Sequence, residues 1–140
     1  MNIKNLLLML VFVAVPAAGC ASSPQKAIFD SESAVQQRSY QSRVFETTDS
    51  QQVLRTLIAT LQDLGFVIDK ADATLGSVSA TKLDNYELRA TATVRPRGEK
   101  QTLVRVTASF GNGPVSSPEM YQDFFVALEK AMFLTAQQVD

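Results

Sequence analysis

Three runs of strict apolar–polar alternation in the second half of the 140-residue chain leave it few folds to choose from. Val78 and Ala80 alternate with Ser77, Ser79 and Thr81. Leu88, Ala90, Ala92 and Val94 alternate with Arg89, Thr91, Thr93 and Arg95, and Val104, Val106, Ala108 and Phe110 with Arg105, Thr107 and Ser109. A period of two sends each apolar set to one face of an extended strand, the signature of an antiparallel sheet with one dry side and one wet side. The connectors LDNYE and RGEKQ are polar and of hairpin length. Pairing Ala80 with Ala90, and Val94 with Val104, keeps every apolar residue on one side. A slip of one residue would bury the Arg and Thr set instead, so the register parity is strongly specified.

Two amphipathic helices supply the second layer. Thr48-Asp49-Ser50-Gln51 reads as a capping box with Thr48 as the cap, opening a helix over Asp49–Leu64. Its apolar face runs through Val53, Leu54, Leu57, Ile58, Leu61 and Leu64, and Gly65 stands where a left-handed cap is wanted. A first strand is expected from near Ser39 to Glu46, and a short one over Phe66–Asp69 before the turn ADATLG. After the loop GNGPVSSP, Ser117 is the expected cap and Pro118 the first residue of a second helix, striped by Tyr121, Phe124, Phe125, Leu128 and Met132. The order β-α-β-β-β-β-α predicts an α+β fold: a two-layer sandwich of one antiparallel sheet with both helices on one face. The small residues Ala80, Ala90, Ala92 and Ala108 suit close approach of those helices.

The N-terminus has a different character. Lys4 precedes ten apolar residues, Leu6 to Val15, which as a helix rise about 15 Å, about half the hydrocarbon thickness of a bilayer. A charged start, a short apolar core and small residues after it form the pattern of a secretory signal peptide. The stretch ends Pro16-Ala17-Ala18-Gly19-Cys20, which resembles the lipobox of bacterial lipoproteins; Ala17 stands where that family most often has Leu. The resemblance implies a signal peptide over 1–19, cleavage before Cys20, and acylation of the Cys20 sulfur and of the new amino group. Behind the acylated Cys, the stretch to Gln37 is rich in Ser, Gln and Ala with no sustained period of 2 or 3.6. Residues 20–37 therefore read as a flexible tether, and residues 38–140, which hold the amphipathic elements, as a globular domain. Because no Asp follows Cys20 at the second mature position, the resemblance further implies anchoring in the outer rather than the inner membrane, with the domain in the periplasm. The element order behind such an anchor is similar to the helix-grip domains of some envelope lipoproteins, among them the C subunit of the outer-membrane β-barrel assembly machine. Leu61-Gln62-Asp63-Leu64-Gly65-Phe66-Val67-Ile68-Asp69 followed by Gly76-Ser77-Val78-Ser79-Ala80-Thr81-Lys82 also resembles a pattern of small bacterial lipoproteins.

Composition narrows the chemistry. The chain has no His and one Cys, so the commonest general base and metal ligand are missing, and neither an internal disulfide nor a thiolate zinc site can form. The serines have no His to activate them. Asp63, Asp69, Asp72 and Asp84 fall at turns and helix ends, where carboxylates serve local backbone bonds. Gly111-Asn112-Gly113-Pro114 lacks the strand and helix context of a phosphate loop. Thirteen basic against fourteen acidic residues give no electrostatic case for nucleic acid. No catalytic residue, metal or cofactor is expected, and the chain reads as a non-enzyme.

Candidate sites are then Cys20 for lipidation and the wet sheet face, where the three runs place Arg89, Arg95 and Arg105 among Ser and Thr with no carboxylate or aromatic on that side. That face suits an anionic partner, or is simply solvated. Ile28-Phe29 is a candidate docking segment in the tether. Two functions are open: an accessory interaction module of a larger envelope assembly, secretion or transport complex, and a carrier holding a lipid or other apolar ligand between helices and sheet. A cavity lined by Phe124, Phe125, Leu57 and Val106 would favour the carrier.

Overall fold

In a computed structural model, which describes residues 34–111 and 113–137, the alternating runs form the centre of an antiparallel sheet. Among the described residues the elements are helix α1 (34–40), β1 (Ser42–Phe45), α2 (Ser50–Asp63), β2 (Val67–Asp72), β3 (Ser77–Asp84), β4 (Tyr86–Arg97), β5 (Gln101–Phe110), β6 (Gly113–Pro114) and α3 (Pro118–Gln137). The strand order is β1-β5-β4-β3-β2, and β6 pairs with the stretch of β5 that β1 leaves free. Ala80 sits opposite Ala90 and Val94 opposite Val104, the register that the apolar pattern dictates. The result is the α+β sandwich expected, with α2 and α3 on the apolar face of the sheet.

The core lies between the layers. Val78, Ala80, Ala90, Ala92, Val94, Val104 and Val106 meet Val53, Leu54, Leu57 and Leu61 of α2 and Tyr121, Phe124, Phe125 and Leu128 of α3. Where α3 meets the β1 edge, the Arg43 guanidinium lies over the Phe125 ring, 5.1 Å from its centroid, and pairs with Glu129 at 3.3 Å. The far edge strand, β2, carries Asp69, Lys70 and Asp72 and an irregularity between Ile68 and Lys70. Charges and a bulge on an edge discourage pairing with another chain.

Several local expectations need correcting. The first strand begins at Ser42, not near Ser39, because residues 34–40 are helical. That helix also begins ahead of the expected domain start at residue 38. The last residue of that helix, Tyr40, packs its ring against Tyr121, centroids 5.3 Å apart. The α2 cap is Asp49 rather than Thr48: the Asp49 carboxylate accepts from the Gln52 N–H at 2.8 Å. Gln51 does not reach back; its amide donates to the Ala73 carbonyl at 3.0 Å. The cap shifts by one residue because a carboxylate at position 49 already reaches the third amide. We therefore expect Asp49→Ala to cost about 1 kcal/mol, and Thr48→Ala, at an exposed position, to stay within about 0.5 kcal/mol. Urea midpoints of the two variants check the assignment, and equal losses would refute it.

At its other end α2 closes in a Schellman motif. The Phe66 N–H donates to the Leu61 carbonyl and the Gly65 N–H to the Gln62 carbonyl, both at 2.9 Å. Gly65 adopts φ +86° to make that turn. At the start of α3, Ser117 serves Glu119 instead of a backbone amide: its hydroxyl donates to the carboxylate at 2.7 Å. That bond, with the Glu119 backbone N–H, lowers the Glu119 pKa from its ordinary value. Burying Thr102 at 0% exposure is tolerated because its hydroxyl donates to the Thr47 carbonyl at 2.8 Å.

Candidate functional site

The Schellman turn has a consequence on the surface. It swings Phe66 back beside Leu61 and leaves Leu64 36% exposed, although Leu64 continues the apolar stripe of α2. Between this turn, the start of α3 and the ends of β3, β4 and β5 lies a groove of about 260 Å³. Its wall includes Leu61, Phe66, Leu88, Val106 and Phe124, with Ala90 and Ala108 among the lining residues and Leu64, Met120 and Asp123 beside them. A second lobe of about 160 Å³ shares Lys82, Leu88 and Met120 with it and adds Tyr86 and Phe110. Those two rings meet edge to face, centroids 4.9 Å apart.

Two polar fixtures hold the groove in shape. The Lys82 ammonium donates to the Leu64 carbonyl at 3.0 Å, placing a cation on the negative end of α2 while its stem lies along Gly65. The buried Tyr121 hydroxyl donates to the Val115 carbonyl (3.0 Å) and accepts from the Ala108 N–H (3.1 Å) and the Gln41 side-chain amide (3.3 Å). Among the described residues no buried side-chain nitrogen or oxygen lacks a hydrogen-bond partner, so the inner wall of the groove can stay apolar.

The arrangement differs from the cavity that would have favoured a carrier. Phe124 and Val106 line the groove, but Leu57 and Phe125 are fully buried in the core. The alanines have two fates. Ala80 and Ala92 let the helices pack closely, whereas Ala90 and Ala108 line the groove.

The wet sheet face is less uniform than its sequence runs suggest. β4 extends back to Tyr86, which brings Glu87 onto the same face as Arg89, and the two form an ion pair. Asp69 also reaches it, accepting from the Thr81 hydroxyl at 2.7 Å. The face is therefore not free of carboxylates, as the shorter runs implied. Arg89 and Arg95 stand six residues apart on β4, about 20 Å along the strand. Arg105, opposite Thr93, is instead a diagonal neighbour of Arg95. The three arginines thus divide into one paired residue and one cluster.

Cys20 and Ile28-Phe29 lie outside the described residues. Among the described residues no helix is long and apolar enough to cross a membrane, and no three His, Cys, Asp or Glu side chains gather where they would hold a metal ion. The groove residues Leu64, Phe66, Lys82, Leu88 and Met120 escaped the sequence reading. One signal was present: Met120 and Leu64 are large apolar residues at the ends of amphipathic stripes, next to a chain reversal. No protein-family model matches the chain, and no curated protein matches it.

Proposed function

We propose that this chain is a lipid-anchored, non-enzymatic bacterial envelope protein, tethered through Cys20 to the outer membrane with its domain in the periplasm. Its domain serves as an interaction module of a larger envelope assembly, secretion or transport complex. The lipobox-like Ala18-Gly19-Cys20, holding the chain's one Cys, supports the anchor. The groove carries the module reading: it is apolar, open, and rimmed by Leu64, Tyr86 and Met120, which are 36%, 62% and 41% exposed. Covering that rim with a partner's side chains gains about 25 cal/mol for each Å² of apolar surface removed from water. Leu57 and Phe125 stay buried in the core instead of lining the groove, so it lies at the surface between the layers, which favours a few docked side chains over a carried ligand.

The test is affinity isolation from solubilised membranes of three chains: unaltered, Cys20→Ser, and Leu64→Glu with Met120→Glu. Both rim residues are exposed, so the double variant keeps the core. A protein that co-purifies with the unaltered chain is expected to drop at least tenfold with the rim variant. Cys20→Ser is expected to leave the membrane fraction and to lose fatty-acid label. An apolar small molecule lost on rim substitution would establish the carrier instead, and identical recoveries from all three chains would refute both the groove and the anchor.

A further inference from the structure

We infer that the outer face of the sheet rests on an anionic phospholipid surface, through the guanidinium groups of Arg95, Arg97 and Arg105. This rests on the proposed anchor at Cys20. Residues 95, 97 and 105 share one face by strand parity, and all three are exposed. Arg95 opposes Leu103 and Arg105 opposes Thr93, a diagonal that sets their backbones about 7–8 Å apart. At that separation two guanidinium forks can converge on one phosphate, which planar, bidentate donors suit better than ammonium groups do. Arg105 is already oriented, its Nε donating to the Ser42 hydroxyl at 3.2 Å.

Charge is sorted across the sheet in the sense a lipid surface needs. On the strands of the outer face Glu87 pairs with Arg89, Asp69 takes the Thr81 hydroxyl and Asp72 lies on the β2 edge, while Glu99, in the turn beyond Arg97, is offset by Lys100 beside it. Glu46, at the end of β1, accepts from the Gln101 side-chain amide. Arg95, Arg97 and Arg105 have no carboxylate within salt-bridge distance among the described residues. Chain length completes the case. Residues 20–34 span at most about 50 Å when fully extended, so an acylated Cys20 keeps the domain within that distance of head groups. Each basic contact with a lipid surface is weak, but a short tether raises the effective concentration enough for three to act together. Since both core helices lie on the opposite face, a sheet seated on the membrane leaves the groove facing the periplasm.

The test uses the mature acylated chain reconstituted into vesicles of phosphatidylcholine alone, or of phosphatidylcholine with phosphatidylglycerol. Acylation blocks Cys20, so Thr107→Cys on the outer face, or Ala59→Cys on the exposed side of α2, carries the one free thiol for a fluorophore. Quenching by head-group-labelled lipid reports proximity. The fluorophore at position 107 is expected to be quenched at least threefold more on the anionic vesicles. That difference is expected to vanish in 0.5 M salt and in the Arg95→Gln, Arg105→Gln chain. The position 59 fluorophore is expected to read the same throughout. Equal quenching on both vesicles, or quenching that survives the double substitution, overturns the inference while leaving the anchor intact. So does protection of position 107 only when an acidic protein is added. A chain that fails to float with either vesicle overturns the anchor, and this inference with it.

Discussion

Gly76→Ala is expected to destabilise the domain by about 2–5 kcal/mol, more than the same substitution at any other glycine among the described residues. Gly76 sits at the turn into β3 with φ +60°. A left-handed backbone costs a non-glycine residue about 1–2 kcal/mol. The added Cβ would also drive into the Val94 carbonyl, which is backbone and cannot swing away. Overpacking of that kind adds about 1–3 kcal/mol. The same approach is what lets the Val94 N–H donate to the Gly76 carbonyl at 2.7 Å, so relief by separation would break a ladder bond. Gly98 provides the control. It has nearly the same φ, +62°, but nothing within 4 Å of a built Cβ, so Gly98→Ala is expected to show the backbone cost alone, about 1–2 kcal/mol. Urea unfolding of both chains at unchanged m-value separates the two costs. If Gly76→Ala lost no more than Gly98→Ala, the close approach of β3 and β4 at this point would be wrong.

The contrast between these glycines also shows what can be read from sequence. Strand parity was open to view because burial acts on every second residue over eight to twelve positions, so one physical effect is repeated many times. The Ala80–Ala90 and Val94–Val104 pairs follow from it directly. Features decided by a single atom are different. Asp49 and Thr48 are both good caps, and only the backbone path puts the Asp49 carboxylate on the Gln52 amide. Nothing in the local sequence says that Gly76 lies under a carbonyl eighteen residues away while Gly98 faces open space.

The candidate sites divide along the same line. That Arg89, Arg95 and Arg105 share a face follows from parity. Which two are neighbours depends on the β4–β5 register, and the pairing of Arg89 with Glu87 depends on how far β4 extends. The groove depends on tertiary contacts throughout. Leu61, Leu88 and Phe124 are ordinary stripe residues in sequence, and a gap between them exists only because Ala90 and Ala108 are small where three elements end together. Small residues on a sheet face therefore argue for close packing only where a helix passes over them.

Leu57→Ala is expected to cost about 2–5 kcal/mol, whereas Leu64→Ala, on the same expected stripe, should cost less than about 1 kcal/mol. Leu57 is fully buried at the middle of α2, among the largest side chains with no solvent access. Truncating it removes apolar area and leaves a cavity that the well-anchored sheet opposite cannot fill. Leu64 is the residue that caps α2, past the last helical turn; its carbonyl holds Lys82 and its side chain overhangs the groove. Truncation there deletes little that is shielded from water and spares the backbone carbonyl. Denaturant midpoints measure the difference, and equal losses would mean that the groove is closed in solution. The two positions should also exchange rank in binding. Leu57→Ala that remains folded keeps the groove rim and hence the co-purifying partner, while Leu64→Ala keeps most of its stability and weakens the partner's hold. A helix whose buried middle sets stability and whose overhanging end sets affinity is what an interaction module built on this sandwich requires.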